Sequence, residues 1–280
     1  MTDQVEKAKE FRDLHRGKKL LILPNAWDVA SARVFEDEGF PAIATSSAGI
    51  MVSLGYPDGE IIDPEEYVSA TQRIAGALSI PLSADIVGGF GATPREVVTM
   101  VKSVLRAGAV GINIEDLDHS SQKLVSLEKQ VEKLEALRAL RDSQPVPFVI
   151  NARTDALRHA EGDAQARLEE AIRRGIAYRD VGTDCIYPMG LTDPTSIATF
   201  VRALDFPINV MVRKGLPTVS ELERLGVKRL SLGPSASYAA LGLLRRASKE
   251  LLEHGTYTTL VDGAITFDEL NGLASPRRPP

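Results

Sequence analysis

Short apolar runs rich in β-branched residues alternate with longer segments of helical period along almost the whole chain. This alternation is typical of βαβ units and predicts a parallel sheet. Eight runs and eight helical segments in about 250 residues favour a (β/α)8 (TIM) barrel of the α/β class over an open doubly wound sheet. The predicted strands are 20–25, 42–46, 81–86, 110–116, 147–153, 185–188, 208–212 and 229–233, and the predicted helices are 27–38, 64–78, 94–107, 126–142, 163–180, 193–203, 218–225 and 235–253.

Local signals support these boundaries. Asp63, Thr93 and Asp193 each place a capping side chain before a proline at the first helical position. The segment "GGFGATP" follows a strand but is not G-x-G-x-x-G, so it does not indicate a dinucleotide site. We predict a single barrel domain over 1–265 and a Pro- and Arg-rich C-terminal tail over 266–280.

Charge and composition exclude several classes of protein. The net charge is -5, and no basic stripe with interleaved aromatic residues indicates nucleic-acid binding. The apolar runs are far shorter than the ~20 residues that cross a bilayer, and the charged N-terminus has no signal-peptide core. One cysteine, Cys185, excludes an internal disulfide framework and is expected in the core. We therefore expect a cytoplasmic protein with no nucleic-acid or membrane partner.

Polar residues gather where the predicted strands end, which is where barrels of this kind carry their chemistry. Asp85 and Glu115 end neighbouring strands and offer the oxygen ligands that Mg²⁺ prefers. Arg153 ends the next strand and can bind a carboxylate or phosphonate bidentately. Backbone amides and hydroxyls of 46–48 offer a second anion site. A divalent ion chelated by a 2-oxo acid would polarise its carbonyl and stabilise an enolate.

Each of these residues also has an ordinary structural explanation. Asp85 could cap a turn, Arg153 could pair with Asp155 or Asp184, and Ser46 and Ser47 could cap the next turn. Glu115 and Asp116 are adjacent in a strand, so only one can face the site. The histidines show no metal-ligand spacing and are expected at the surface, with only His119 near the mouth of the barrel; they are His15, His119, His159 and His254.

Several segments together resemble the isocitrate lyase/phosphoenolpyruvate mutase superfamily. They are "LPNAWDVASARVFEDEGFPAIATSSAGI", "GYPDGE", "ADIVGGFG", "GINIED", "INARTDA", "NVMV" and "RLSLGPS", and the likeness covers about 10–250. The resemblance implies a magnesium-dependent (β/α)8 barrel, usually a homotetramer whose eighth helix is exchanged between subunits. Members of this superfamily break or make C–C or P–C bonds next to a 2-oxo acid or an enolate.

The resemblance also assigns roles by position. Asp85 matches the direct ligand of Mg²⁺ (with Mn²⁺ as the alternative), and Glu115 matches a carboxylate that reaches the metal through water. Asp58 matches an acid near the metal's water shell, and Arg153 matches the substrate-binding arginine. Arg153, Glu115 and Asp58 are thus the candidate catalytic residues. The other substrate-binding positions are Trp27, Ser46, Ser47, Ala48, Asn209 and Ser231.

Three departures from the family pattern bear on activity. Val87 stands where a second acid usually follows the first, which should weaken magnesium binding. The Lys-Lys/Arg-Cys-Gly-His lid segment of isocitrate and methylisocitrate lyases is missing from a shortened lid after strand 4. Met189 stands near the position where those lyases carry a glutamate. Isocitrate cleavage is therefore disfavoured.

The sequence favours a magnesium-dependent lyase that cleaves, through an enolate, the C–C bond next to the carbonyl of a small 2-oxo acid or related dicarboxylate such as oxaloacetate. Tyr187 and a metal-bound water are both candidates for its general acid. One alternative is a phosphonopyruvate hydrolase or phosphonomutase, although no asparagine lies between Glu115 and Lys123 to handle a phosphorus group. Another is an inactive oxo-acid-binding protein. The expected partners are a small carboxylate substrate and further copies of the chain, as a dimer or tetramer.

Overall fold

The computed structural model describes residues 2–274. Its helices are α1 (Thr2–Arg16), α2 (Val29–Asp37), α3 (Ser47–Ser53), α4 (Pro64–Ala77), α5 (Pro94–Arg106), α6 (Leu127–Asp142), α7 (Ala156–His159), α8 (Ala164–Val181), α9 (Pro194–Leu204), α10 (Val219–Arg224), α11 (Ser235–His254), α12 (Thr258–Val261) and α13 (Phe267–Ala274). Its strands are β1 (Leu21–Leu23), β2 (Asn25–Ala26), β3 (Ile43–Thr45), β4 (Leu82–Asp85), β5 (Gly111–Glu115), β6 (Leu117–Asp118), β7 (Lys123–Leu124), β8 (Val149–Thr154), β9 (Cys185–Pro188), β10 (Asn209–Met211) and β11 (Arg229–Ser231).

The long strands close into a parallel barrel. Six of them pair in the order β2-β3-β4-β5-β8-β9, and three more in the order β1-β11-β10. A parallel bridge between Ile186 and Ile208 joins β9 to the start of β10. β1 and β2 are consecutive pieces of one strand on either side of Pro24, so the ring also closes there. The predicted (β/α)8 barrel is confirmed.

Each predicted strand and helix is present, with ends that differ by no more than a few residues. The sequence pattern missed the short elements in the loops, because they lack a period of their own. These are α3, α7, α12 and the β6–β7 hairpin. Residues 267–274 of the predicted tail form α13, where Arg33 of α2 donates from Nε to the Leu273 carbonyl at 2.7 Å. The rest of the predicted tail, 275–280, lies outside the described residues, and the domain boundary stays a prediction.

The N-terminal helix closes the amino end of the barrel. Phe11 of α1 is fully buried, and a Cβ on Gly111 would lie only 2.6 Å from its ring. Glycine is therefore required on β5 where the aromatic ring enters the barrel. His15, expected at the surface, is instead 2% exposed, because α1 turns this face toward the barrel floor. Within 2–274 no helix is long and apolar enough to cross a membrane.

The last long helix covers little of its own apolar surface. Only Ser237 and Ala247 of α11 are buried, while large apolar side chains such as Leu244 and Leu252 are exposed, the latter by 87%. Surface of this kind marks a contact with another protein surface. It agrees with the predicted exchange of this helix between subunits, which stays a prediction.

Candidate active site

A cavity of about 380 Å³ opens at the carboxyl ends of the barrel strands. It brings together most of the residues singled out from the sequence. Trp27 lies beside Gly49 and does not line the cavity, and Glu115 lies behind its wall. The predicted site residues that line it are Ser46, Ser47, Ala48, Asp58, Asp85, Arg153, Asn209 and Ser231.

Asp85, the last residue of β4, is held in place by hydrogen bonds from both sides. Ser47 Oγ donates to Asp85 Oδ2 at 2.8 Å, and Asn113 Nδ2 donates to Oδ1 at 2.8 Å. The Asp85 amide donates to Thr45 Oγ1 at 2.8 Å, and Tyr67 Oη donates to the Asp85 carbonyl. The Ser47 amide also donates to Oδ2, at 3.4 Å, so three donors use three of the four lone-pair sites and Asp85 can still bind a cation from the cavity through Oδ1.

Asp58 stands at the rim of the same cavity, in the loop before α4. Partial burial and the nearby Asp85 carboxylate raise the pKa of Asp58 above its ordinary value. Two carboxylates that face one space repel each other, and a divalent cation between them would relieve that repulsion. Asp58 is thus placed to hold a water ligand of such an ion.

Glu115 is buried and takes charged or polar partners on both oxygens. Arg153 Nη1 lies 2.6 Å from Oε2, and His119 Nε2 contacts Oε1. Burial raises the pKa of Glu115 despite the opposing effect of Arg153. The hydrogen bond to Glu115 in turn raises the pKa of His119, which lines the cavity from the turn of the β6–β7 hairpin, as expected.

Arg153 is neutralised by the protein itself. Its Nε and Nη2 donate to the two oxygens of Asp155 at 2.7 and 2.9 Å, and its guanidinium lies 5.7 Å from the centre of the Tyr187 ring. Burial alone would lower the pKa of Arg153, but Glu115 and Asp155 hold it well above the ordinary value. The outer N–H groups of Nη1 and Nη2 remain for a ligand in the cavity.

The neighbouring acid Asp116 faces away from the cavity, as the alternation along a strand requires. It accepts from Arg174 Nη1 at 2.9 Å and from Tyr178 Oη at 2.7 Å, both on α8, and from the Asp155 amide at 2.8 Å. Asp116 therefore fixes the start of the segment that carries Asp155. Its role is to position Asp155, which in turn positions Arg153.

The positions that depart from the family pattern are also placed. Val87 is 1% exposed in the core, with a left-handed φ of 55° that is unusual for a β-branched residue. Met189 lines the cavity and accepts from Tyr187 Oη at 2.9 Å. Cys185 is buried as expected, and burial raises its pKa to about 12. A thiol in this state is a poor nucleophile.

The donor set suits a hard cation held largely by water and substrate. Within 2–274 no three His, Cys, Asp or Glu side chains converge as a metal cage. Magnesium is commonly bound through one or two carboxylates together with waters and the substrate. Asp85 and Asp58, which line the same cavity, can supply these carboxylates. The carboxylate oxygens of Glu115 already contact Arg153 and His119.

The sequence pointed to Asn151 at the end of its strand but not to Asn113 or Arg229, which complete a polar layer inside the barrel. Asn151 Nδ2 donates to Asn113 Oδ1 at 2.9 Å, which continues the chain of hydrogen bonds from Asp85. Arg229 also lines the cavity. The signal was available, because these residues share the inward phase of their strands with Asp85, Arg153 and Ser231.

Comparison with known proteins identifies the family. A model of the phosphoenolpyruvate phosphomutase family matches residues 11–252. The 2-methylisocitrate lyase of Escherichia coli K12 is 33% identical over 94% of this chain and 90% of its own length. The 2,3-dimethylmalate lyase of Eubacterium barkeri is 31% identical over 95% of this chain and 93% of its own.

Two solved structures extend the likeness to the fold. A protein of Burkholderia cenocepacia J2315, provisionally described as a lyase/mutase, superposes with a TM-score of 0.91 at 36% identity, over 99% of this chain and 98% of its own. An oxaloacetate acetylhydrolase in complex with oxalate gives 0.84 at 29% identity, over 95% and 93%. The chain belongs to the isocitrate lyase/phosphoenolpyruvate mutase superfamily, whose magnesium-dependent lyases and mutases include carbon–carbon lyases.

Proposed function

We propose that this protein is a magnesium-dependent lyase that cleaves the C–C bond next to the carbonyl of a small, oxaloacetate-like 2-oxo acid. The observation that carries the proposal is the pairing of Asp85 and Arg153 in one cavity. Asp85 presents a fixed carboxylate for a cation, and Arg153 presents free N–H groups for a carboxylate. A 2-oxo acid would use both, because a divalent ion held at Asp85 would polarise its oxo group while Arg153 neutralises carboxylate charge.

The residues around the cavity have different roles in the proposed reaction. When bound, Mg²⁺ would act as a Lewis acid on the oxo group. Arg153, held by Asp155 and Glu115, orients the substrate carboxylate so that the breaking bond keeps one alignment. Ser46, at the start of α3, and the Ala48 backbone hold the other end of the oxo-acid group. Burial raises the pKa of Tyr187, so its hydroxyl stays protonated, and it can donate toward an enolate oxygen if it gives up its weak hydrogen bond to the Met189 sulfur.

The short lid favours a lyase over a phosphonate mutase. The segment that follows β5 over the site is the short β6–β7 hairpin, whose turn presents His119 and Gln122 to the cavity. A mutase must exclude water from a reactive phosphoryl intermediate, which needs fuller closure. An oxo-acid lyase tolerates water better, because protonation of the enolate ends its reaction.

A proton NMR time course on a panel of compounds tests the proposal. The panel is oxaloacetate, 2-methylmalate, 2,3-dimethylmalate, methylisocitrate and phosphonopyruvate, each with Mg²⁺, with chelator, and without protein. The last control is needed because free Mg²⁺ itself speeds oxaloacetate decay. We expect turnover of an oxaloacetate-like compound that chelator abolishes. Cleavage of phosphonopyruvate instead would support the phosphonate reading, and no turnover of any compound would contradict both.

We also infer that the protein assembles through α11. The supporting observation is the exposed apolar surface of α11, which continues onto Tyr257 and Val261 at and beside α12. Light scattering of the purified protein should give a dimer or tetramer, and Leu244→Glu together with Leu252→Glu should lower the assembly state. A monomeric wild-type protein would contradict this inference.

A further inference from the structure

The floor of the cavity carries a second arginine that the site described so far does not use. Arg229 opens β11, two residues before Ser231 on the same inward side of the strand. It therefore lies about 6–7 Å deeper in the barrel than Ser231. Arg229 is 2% exposed yet lines the same cavity as Asp85 and Arg153, so the cavity reaches from the mouth down to this side chain.

The contact of Arg229 with the closing helix α1 is a hydrogen bond to a neutral imidazole. His15 Nδ1 lies 2.7 Å from the Phe11 carbonyl, which can only accept, so Nδ1 carries the proton. His15 Nε2 is then the acceptor for Arg229 Nη1 at 3.3 Å. The Phe11 ring lies 6.0 Å from the guanidinium. None of these groups carries the negative charge that would balance a buried cation.

Arg229 thus differs from the usual buried arginine. Among residues 2–274 no carboxylate lies within ion-pair distance of it, the Asp85 carboxylate acts on it only at longer range, and its Nε has no hydrogen-bond partner. Burial lowers the pKa of Arg229, but an arginine side chain stays protonated in proteins. Since a buried charge without a counter-ion is strongly unfavourable, the geometry calls for an anion.

Asn209, which pairs with Arg229 in the sheet, and Asn151, which lines the same cavity, also have unused polar atoms. Asn209 donates to Ser231 Oγ at 3.1 Å, and its Oδ1 has no partner. A hydroxyl can accept or donate, so the Asn209 amide can turn over and present its NH2 group to an anion. Asn151 cannot turn, because Asp85 fixes the direction of the hydrogen bonds through Asn113. Its unpartnered Oδ1 is suited to a bound water.

We propose that Arg229 binds the carboxylate of the substrate that lies farthest from the metal, and so selects dicarboxylates over monocarboxylates. This inference rests on the proposed function, which places the oxo-acid end of the substrate between Asp85 and Arg153. The second carboxylate then points down the barrel, toward the Arg229 Nε and the Asn209 amide. Water alone would satisfy the hydrogen bonds but would leave the charge of Arg229 unbalanced.

Calorimetry with matched ligands tests the proposal. Malate and lactate share the hydroxy-acid end and differ in the distal carboxylate, and NMR on the same samples verifies that neither is consumed. With Mg²⁺, we expect the wild-type protein to bind malate at least about 30-fold more tightly than lactate. Arg229→Met should remove most of that ratio while leaving lactate affinity within about threefold. Arg229→Lys should keep part of the ratio.

The controls separate this proposal from the proposed function. Arg202→Met removes a charge on the exposed side of α9, outside the cavity, and should leave the malate-to-lactate ratio unchanged. An unchanged ratio in Arg229→Met, an equal loss for both ligands, or no malate binding by wild type would overturn the role of Arg229. A ratio lost in Arg229→Met, in a protein without magnesium-dependent turnover, would support the distal carboxylate site and overturn the lyase.

Discussion

The two buried arginines of the cavity are neutralised in opposite ways. Arg153, near the mouth, is bound by Glu115 and by both oxygens of Asp155. Arg229, at the floor, contacts a neutral histidine and an aromatic ring. The charge of Arg153 is therefore neutralised within the folded protein whether or not ligand is present. The charge of Arg229 is compensated only when an anion enters the barrel.

The difference separates stability from binding. Removing the arginine that two buried carboxylates share leaves Glu115 with His119 alone and Asp155 with the more distant Arg158, which is among the larger single-residue losses of stability. Removing a buried cation that has no carboxylate partner relieves an unfavourable charge. We therefore expect Arg153 to matter for both folding and activity, and Arg229 to matter for ligand choice.

The largest expected effect is on stability. Arg153→Met should lower the free energy of unfolding by about 3–5 kcal/mol, because Glu115 and Asp155 lose the arginine that they share. Arg229→Met should change it by less than about 1 kcal/mol, or increase it. Urea unfolding of both variants at pH 7 measures the contrast. Equal destabilisation by the two substitutions would show that the floor arginine is a structural residue as well.

The pH dependence of stability tests whether His15 is neutral beside Arg229 at the floor of the barrel. Burial lowers the pKa of His15 to about 3, from an unfolded value near 6.5, and the Arg229 charge adds to this shift. The stability that comes from neutral His15 is therefore complete above about pH 6.5 and is lost as the pH falls toward 3. Between pH 7 and pH 5 this loss is about 2 kcal/mol.

His15→Gln isolates that contribution. Its side chain can still donate to the Phe11 carbonyl and accept from Arg229, but it does not titrate. Urea unfolding at pH 7 and pH 5 should show the wild-type protein losing about 2 kcal/mol more than the variant. If both proteins lose the same amount, His15 is not the titrating group.

A smaller effect, on catalysis, is expected from weakening the contact by which Asp155 positions Arg153. Asp155→Asn keeps an oxygen for Arg153 but removes the charge, so the guanidinium is held less firmly. We expect kcat/KM for the oxo acid to fall about tenfold, which corresponds to about 1.4 kcal/mol of transition-state stabilisation. Steady-state kinetics measure it, and Asp193→Asn at an exposed helix cap is the control. An unchanged kcat/KM would show that Glu115 alone holds Arg153.

The smallest effect concerns the strained backbone of Val87, which lies near the mouth of the barrel. Glycine there loses a buried side chain but relieves a left-handed backbone that disfavours valine by about 1–2 kcal/mol. Val110 is equally buried and is not left-handed. Val87→Gly should therefore destabilise less than Val110→Gly, by about 1 kcal/mol, in urea unfolding. A larger loss at Val87 would show that packing outweighs strain there.

The barrel was predictable because its strands and helices differ in period and because capping residues mark their ends. Thr93 shows this clearly: its hydroxyl accepts from the Glu96 amide at 3.3 Å, and Glu96 bonds back to Thr93. The cluster at the mouth was also predictable, since the carboxyl ends of parallel strands must meet. Asp85 and Arg153 share one cavity for that reason.

The floor was not predicted, because it depends on contacts between distant parts of the chain. His15 and Arg229 are separated by 214 positions, and nothing in either local pattern indicates that helix α1 closes the barrel. The burial of Val87 could not be predicted either, because it depends on the left-handed backbone of Val87 itself. Sequence periodicity places the strands, but the pairing of side chains inside the barrel follows only from the closed ring.

The central claim is that Asp85 supports a magnesium-dependent cleavage of an oxo acid. Its most direct test is the initial rate of oxaloacetate consumption, followed by proton NMR, as a function of Mg²⁺ concentration and corrected for the rate without protein. We expect saturable activation of the wild-type protein and a loss of at least about a thousandfold in Asp85→Ala. A wild-type rate no faster than Mg²⁺ alone, or equal rates for the two proteins, would contradict it.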